Sequence, residues 1–551
     1  MDTQRLIIFA VFSLSLFMLW EKWQETNLPP VVITQANSDA AKSTDIPTPS
    51  KNNSVASTAT KSAEATIGTP MPQKGQRIKV KTDVIEAEID LNGGDLRRYA
   101  LIKHKNDKDK TKPFVLLADE APHNYVAQSG LIGPGLPTHK EMFSAQADEY
   151  VLQQGADKLE VRLIWRSENA IQVDKIYTFQ RNNYLVKVSY EIKNGSTTPI
   201  APDVYFQFLR DGTPPEGHSA LLPTYTGPAI YTEEKRFQKH DFEHIGKDGK
   251  NIIEQSSNGW VALLQHYFLT AYLPQGNSPR EFYLKKVADN LYASGVIVPI
   301  GEIAPNASKN LNMQMYAGPI EQNVLKDLAP GLELTVDYGW LKLIAVPIFT
   351  LMSWIHKILG NWGWTIIVLT ILIKAAFYPL SAASYRSMAK MKALAPRLQR
   401  LKEQYGDDRQ KQHQAMMEIY KNEKINPLGG CLPVVIQIPV FIALYWVLLY
   451  SVEMRHAPFA LWIQDLTAQD PYYVLPVLMG ISMLVQTRLN PTPPDPIQAK
   501  IMTIMPIAFS VMFFWFPAGL VLYWVVNNVL SIAQQWRINQ VMQHAPKKAK
   551  R

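Results

Sequence analysis

The segment that decides the fold class is residues 501–536, which read IMTIMPIAFSVMFFWFPAGLVLYWVVNNVLSIAQQW and contain no Asp, Glu, Lys or Arg. A membrane-spanning helix needs about 17–25 mostly apolar residues. Proline next to glycine marks a turn, and Pro517 and Gly519 lie near the middle of this segment. The sequence therefore predicts two short spans here, joined by a tight turn.

Four other stretches also lack charge over lengths that matter for a membrane. They are residues 6–20, 358–385 (broken only by Lys374), 425–452 and 471–487. The whole chain of 551 residues has a net charge of +8 and a mean hydropathy of −0.11. These averages hide the difference between the uncharged stretches, most of which follow residue 340, and the more polar remainder of the chain. The pattern predicts six spans. Composition excludes a collagen-like or wholly disordered chain, and the single Cys431 excludes an internal disulfide.

The first stretch has 15 residues, so a cleaved signal peptide and an uncleaved signal anchor are both considered. No small-residue cleavage site follows it, which favours the anchor. Trp20 and Trp23 then lie at the membrane interface, where aromatic residues are enriched.

Lys and Arg in short loops predict the orientation, because they are retained on the cytoplasmic side. Residues 381–424 contain ten of them, and residues 537–551 contain five with no acidic residue. Residues 453–470 contain a single basic residue. Both termini are therefore predicted to be cytoplasmic, with residues 24–357 on the periplasmic side.

The segment outside the membrane has two parts. Residues 24–75 are rich in Ser, Thr, Ala and Pro without periodicity, which predicts a flexible linker. Residues 76–330 alternate apolar and polar positions, as in Val186, Val188 and Tyr190, which predicts one large β-sandwich. Its histidines show no metal-ligand spacing or triad signature, so no metal or catalytic site is predicted. A carbohydrate-binding or vestigial role for the sandwich stays open.

Two further segments are predicted to be helical. Residues 331–359 are apolar with few charges, and they fit an amphipathic helix in the outer interface or the start of the second span. Residues 381–425 fit a cytoplasmic helical hairpin. Its methionines either bury one helix against the other or offer an adaptable apolar surface to guests; they are Met388, Met391, Met416 and Met417.

Lys374 lies inside a predicted span, where a lysine costs about 2.5–3.5 kcal/mol. No Asp or Glu occurs in the other predicted spans, so its side chain either snorkels to the cytoplasmic interface or lines a hydrated cavity. Thr370 is one helical turn earlier and shares its face. The other spans carry polar residues that serve either interhelical hydrogen bonding or a polar cavity; those singled out are Gln437, Tyr523 and Asn527.

The C-terminal half resembles the YidC-type membrane protein insertases. The motifs that carry this resemblance occur in order between residues 335 and 536. They are Asn361-Trp362-Gly363-Trp364, Tyr378-Pro379-Leu380, Ser387-Met388-Ala389-Lys390-Met391, Asn426-Pro427-Leu428-Gly429-Gly430-Cys431-Leu432-Pro433, Ala457-Pro458-Phe459-Ala460-Leu461-Trp462, Asp470-Pro471-Tyr472-Tyr473 and Phe516-Pro517-Ala518-Gly519-Leu520.

The resemblance implies a polytopic α-helical inner-membrane protein with six transmembrane helices and a large all-β periplasmic domain, a β-super-sandwich. It implies an insertase and chaperone, acting alone or with the Sec translocon, with no enzymatic activity and no cofactor. In this family a positively charged residue, usually arginine, lies in a hydrophilic groove. Lys374 occupies that position here, Thr370 and Tyr523 match other groove residues, and Trp524 replaces a common second tyrosine.

The expected partners are nascent membrane proteins, Sec translocon components, membrane lipid, and the ribosome through the cytoplasmic loop and tail. A small-solute transporter and a membrane-anchored carbohydrate enzyme are the competing functions. The predicted segments are 1–23 (anchor), 24–75, 76–330, 331–359, 360–380 (second span), 381–425, 426–451 (third span), 452–470, 471–488 (fourth span), 489–499, 500–516 (fifth span), 518–536 (sixth span) and 537–551 (tail).

Overall fold

The computed structural model describes residues 45–50, 75–120, 123–215, 224–247, 251–406, 408–423, 432–490 and 496–544. The predicted anchor, most of the predicted linker and the end of the basic tail lie outside the described residues. The chain divides into two compact units. The first comprises Val31–Val336, and the second includes Asp337–Arg551.

The first unit is built from β-strands in two sheets, which confirms the predicted β-sandwich. The strands are β1 (Arg77–Lys81), β2 (Ile85–Asp90), β3 (Asp95–Lys105), β4 (Pro113–Leu117), β5 (Tyr125–Ile132), β6 (Ser144–Ala145), β7 (Glu149–Val151), β8 (Lys158–Arg166), β9 (Ile171–Gln180), β10 (Leu185–Asn194), β11 (Asp203–Asp211), β12 (Gly227–Thr232), β13 (Arg236–Lys239), β14 (Ile252–Ser256), β15 (Trp260–Gln265), β16 (Phe268–Pro274), β17 (Arg280–Ala288), β18 (Leu291–Pro299) and β19 (Ser308–Pro319).

The ten-stranded sheet has the order β14-β17-β18-β11-β5-β3-β2-β1-β7, with β4 paired to β3. The nine-stranded sheet has the order β13-β12-β15-β16-β19-β10-β9-β8-β6. Neighbouring strands are antiparallel except β1 and β7, which are parallel. Among the described strands, eight of the 17 pairings join strands that are consecutive in sequence, and nine join strands that are not.

The core lies between the two sheets. In β10 the side chains of Val186, Val188 and Tyr190 are buried, whereas Lys187 between them is exposed. This alternation follows from the period of two along a strand. Aromatic rings join the sheets, since Phe208 of β11 stacks on Tyr272 of β16 with 4.3 Å between ring centroids. The sandwich therefore holds together by apolar burial, which requires no disulfide.

The sandwich also buries a cation. The ammonium of Lys175 donates hydrogen bonds to the carbonyls of Gly93 (3.0 Å) and Ser129 (3.2 Å). Burial lowers the pKa of Lys175 to about 8, although the charge of Asp95 acts in the opposite direction. Lys175 is thus a satisfied core residue that joins β9 to the ten-stranded sheet.

The helices, apart from short 3₁₀ turns, follow the strands. They are α1 (Gln322–Leu328), which belongs to the first unit, and then α2 (Lys342–Leu359), α3 (Trp362–Ala376), α4 (Tyr378–Tyr405), α5 (Arg409–Asn422), α6 (Leu432–Tyr450), α7 (Val474–Leu489), α8 (Pro496–Met512) and α9 (Ala518–His544). In the second unit α9 packs against α3, α4, α6 and α7, and α2 packs against α3 and α6.

The break between α3 and α4 sets the position of Lys374 near the end of α3. The two helices meet at an angle of 67° at Phe377. Pro379 has no backbone N–H, and its ring clashes with the carbonyl four residues earlier, so a straight helix cannot continue through it. Lys374 is therefore in the last turn of α3, where a cation also interacts favourably with the helix dipole.

Among the described residues, one helix is long and apolar enough to cross a membrane, and the bent pair Trp362–Ala376 with Tyr378–Leu394 makes a second candidate. The first candidate is Gly339–Leu359, within the segment predicted to lie in the interface. Shorter apolar helices are Ile436–Tyr450, Val474–Leu489 and Lys500–Trp515. The predicted count of six spans is not confirmed by helix length and composition.

Candidate functional site

Lys374 is connected to α9. Its ammonium donates a hydrogen bond of 2.8 Å to the hydroxyl of Ser531, which in turn donates 2.7 Å to the carbonyl of Asn527. The side chain of Lys374 is half-buried. Within the described part of the chain it forms no ion pair with a carboxylate. The lysine is thus held by a neutral hydroxyl and not by a carboxylate of the described residues.

Gln437 of α6 brings the third helix to the site. Its amide donates to the hydroxyl of Tyr523 at 3.3 Å and to the side-chain oxygen of Asn527. Gln437 and Lys374 also line one small pocket. The other residues of this pocket are Ile373, Phe377, Leu380 and Ser381. Polar groups from α3, α6 and α9 therefore converge on one place.

Aromatic rings pack beside this polar group, and two of them, Tyr523 and Phe513, are buried. Phe441 of α6 lies against Tyr523, with 6.1 Å between ring centroids, and against Trp524 at 4.9 Å. Phe513 also lies against Trp524, with 5.9 Å between ring centroids. The indole N–H of Trp524 is buried and has no hydrogen-bond partner among the described residues. Trp524 thus extends an apolar aromatic wall, and the polar handle comes from Tyr523.

Thr370 is on the helix face predicted from its spacing, yet its hydroxyl does not reach the lysine. It donates 2.6 Å to the carbonyl of Ile366 in its own helix and is fully buried. This is the usual way in which a threonine satisfies its hydroxyl inside a helix. Thr370 contributes packing beside the pocket, at one helical turn from Lys374.

The predicted hairpin methionines lie on α4 and α5. Met388 packs against Ala382, Tyr385 and Ile538, so it joins α4 to the end of α9. The other three differ in exposure, since Met391 and Met416 are half-buried and Met417 is 46% exposed. Met417 is the most exposed of the four, all of which are in the described residues.

The sequence did not single out Ser531 as a site residue, although it lies on the polar stripe of Tyr523 and Asn527. Its spacing of four residues from Asn527 is the signal that was available. Ser381, Phe377 and Leu380 were also missed, and they give no separate polar signal. In the described residues no group of His, Cys, Asp and Glu could hold a metal ion. The arrangement is suited to receiving a polar or acidic group.

Two family models match this chain. The YidC periplasmic domain matches residues 77–351, and the 60Kd inner membrane protein matches residues 354–547. A YidC insertase crystal structure with its first transmembrane domain resolved is 19% identical, with a TM-score of 0.39 over 84% of this chain and 92% of that chain. At so low a score, the assignment rests on the sequences.

Full-length relatives extend the match over the whole chain. The membrane protein insertase YidC of Methylobacillus flagellatus is 58% identical over 100% of this chain and 99% of its own. That of Aromatoleum aromaticum is 53% identical over 100% of both. The family expected from the motifs is thereby confirmed, and the chain belongs to the YidC family of membrane protein insertases, inner-membrane proteins with a periplasmic domain.

Proposed function

We propose that this chain inserts proteins by receiving a polar segment of the guest beside Lys374, while the guest's apolar helix passes along the aromatic wall into lipid. The observation that carries the proposal is the lysine's environment. The hydroxyl of Ser531 accepts from its ammonium, and no carboxylate of the described residues pairs with it. A nascent chain with an acidic residue supplies the missing countercharge.

The free-energy cost of a lysine inside a span favours a second hydrogen-bond partner for Lys374, either water or a guest. A lysine inside a span costs about 2.5–3.5 kcal/mol, whereas an interhelical hydrogen bond in a membrane contributes about 0.6 kcal/mol on average. The bond to Ser531 therefore offsets a small part of the cost. An ammonium has three donors, so water or a guest carboxylate can satisfy the other two.

Lysine in place of the family's usual arginine changes the contact. A guanidinium binds a carboxylate through two parallel hydrogen bonds, whereas an ammonium acts as a compact point charge. The site proposed here therefore attracts acidic segments without fixing their orientation. Such a loose contact suits guests that must pass through.

Short helices support local thinning of the bilayer. Helix α7 has 16 residues, which corresponds to about 24 Å at 1.5 Å per residue, against a hydrocarbon core of about 30 Å. A short span draws the bilayer thinner around it. Thinning shortens the distance over which a guest's polar segment must move, and the work comes from burial of the guest's apolar helix.

The proposal also includes the membrane topology, the cytoplasmic hairpin and the partners of the chain. Six spans place both termini in the cytoplasm and residues 24–357 in the periplasm. The α4–α5 hairpin contacts guests through Met388, Met391, Met416 and Met417 before they reach Lys374. Sec translocon components and the ribosome are the proposed partners, with the basic loop and tail as the surface that meets ribosomal RNA or anionic lipid.

The test compares Lys374→Ala and Lys374→Arg in cells depleted of the native copy. We expect Lys374→Ala to slow insertion of a small substrate with an acidic translocated tail about tenfold, or about 1.4 kcal/mol. Lys374→Arg retains insertion, and a neutral-tailed substrate is little affected. Lys357→Ala, which removes an exposed lysine of α2, is the matched control. Normal insertion by Lys374→Ala at equal protein levels would refute the role of the charge.

A further inference from the structure

A short stretch of the predicted linker lies against the β-sandwich. Residues 45–50, which read DIPTPS and which we call the strap, lie on the face of the ten-stranded sheet opposite the core. Ile46 packs there against an apolar cluster. The cluster consists of Val126, Tyr205, Leu209, Tyr283, Val287, Ala293 and Ile297.

An acidic side chain fixes the first residue of the strap. One carboxylate oxygen of Asp45 is 3.1 Å from the ring nitrogen Nε2 of His139, and the other is 2.7 Å from the ammonium of Lys140. Burial alone would raise the pKa of Asp45, but the hydrogen bonds of these two residues hold it well below its usual range. The groove therefore selects a carboxylate at this position.

Main-chain contacts continue along the strap. The carbonyl of Asp45 accepts 3.2 Å from the amide of Gln207, and the carbonyl of Ile46 accepts 3.1 Å from the ammonium of Lys285. Further on, the backbone N–H of Ser50 donates to the carboxylate of Glu281 at 3.2 Å. In these contacts, side chains of the groove form hydrogen bonds with backbone groups of the strap, as in the recognition of extended peptides.

The strap satisfies a hydrogen-bond donor in the floor of the groove. Gln207 is fully buried, and its amide group has two donors. One donates to Gln128 and the other to the carbonyl of Asp45, so the strap supplies the partner of the second donor. Pro47 is buried and has no N–H to satisfy, which makes proline suitable there.

We propose that this groove is a peptide-binding site for extended acidic–aliphatic–proline segments, and that the strap is its resident ligand in cis. Cis binding is strong because the linkage gives the strap a high effective concentration. The site is separate from the Lys374 pocket. A segment of the same chemistry binds once the strap is removed.

The experiment uses the full chain in detergent and a fluorescent peptide with the sequence of residues 43–52. The double variant Asp45→Ala with Ile46→Asp empties the groove, and Thr48→Ala, at an exposed strap residue, is the matched control. We expect the emptied chain to bind the peptide at least tenfold more tightly than the wild type or the control, measured by fluorescence anisotropy. A scrambled peptide should not bind.

A second set of variants tests the groove. Lys140→Ala with Lys285→Ala, added to the emptied chain, should weaken peptide binding at least tenfold. In the otherwise wild-type chain, the same pair should speed hydrogen exchange at Ser50. The proposal is overturned if the emptied and wild-type chains bind the peptide equally, if the scrambled peptide binds as well, or if exchange at Ser50 is unchanged.

Discussion

Lys175 in the β-sandwich and Lys374 in the helical unit are both lysines withdrawn from bulk water, and their surroundings differ. Lys175 is fully buried, donates to two backbone carbonyls and lies near the charge of Asp95. Lys374 is half-buried and donates to one neutral hydroxyl. The ammonium of Lys175 thus has two hydrogen-bond acceptors within the fold, whereas that of Lys374 has one and can bind a further partner. A buried cation indicates a receiving site only where its surroundings leave it incompletely satisfied.

The largest expected effect is on stability, and it separates the two lysines. Lys175→Met removes the ammonium that donates to the carbonyls of Gly93 and Ser129 and leaves Arg97 as the remaining cation beside Asp95, which should lower the free energy of unfolding of the sandwich by about 3 kcal/mol. Lys374→Met should leave the helical unit as stable or more stable, because it removes an intramembrane charge. Hydrogen exchange of the purified full chain measures both; equal losses in the two variants would erase the distinction.

The pH dependence gives a smaller effect in the same comparison. The pKa of Lys175 is about 8 in the folded chain and 10.5 in the unfolded chain, so the unfolded chain binds more protons between these values. Stability contributed by this residue therefore rises with pH across that window. From pH 8 to 9.5 we expect a gain of about 1.6 kcal/mol in wild type relative to Lys175→Met. Parallel pH profiles of the two chains would contradict the assignment.

The smallest effect concerns the neutral partner. Ser531→Ala removes the bond to Lys374, and an interhelical hydrogen bond of about 0.6 kcal/mol predicts a loss of insertion of threefold or less. Ser510→Ala is the control, since Ser510 donates to the carbonyl of Pro476 away from the lysine. Insertion rates of an acidic-tailed substrate provide the readout. A loss of tenfold or more would indicate that Ser531 itself contacts the guest.

Periodicity predicted the elements well. The alternation of Val186, Val188 and Tyr190 predicted a strand with one buried face, and the spacing of four residues between Tyr523 and Asn527 indicates a common helix face. These signals are local, because strand and helix geometry repeat within a few residues. The family motifs then supplied the position of Lys374 as a groove residue.

Contacts across long sequence separations were not predictable in this way. Lys374 and Ser531 are 157 residues apart, and no local pattern pairs them. The strap has the composition of a linker, and its partners His139, Gln207 and Lys285 are 94 to 239 residues away. Thr370 lies on the helix face that its spacing predicted, and its hydroxyl donates to the carbonyl of Ile366 in its own helix, a contact that the spacing alone does not reveal.

The most direct measurement is a charge reversal at position 374. Two matched substrates, one with Asp and one with Lys in the translocated tail, are inserted by the wild-type chain and by the Lys374→Glu chain at equal protein levels. The account predicts that the wild type inserts the acidic tail about tenfold faster and that Lys374→Glu reverses the order. If both chains show the same order of rates, the charge of Lys374 does not receive the guest.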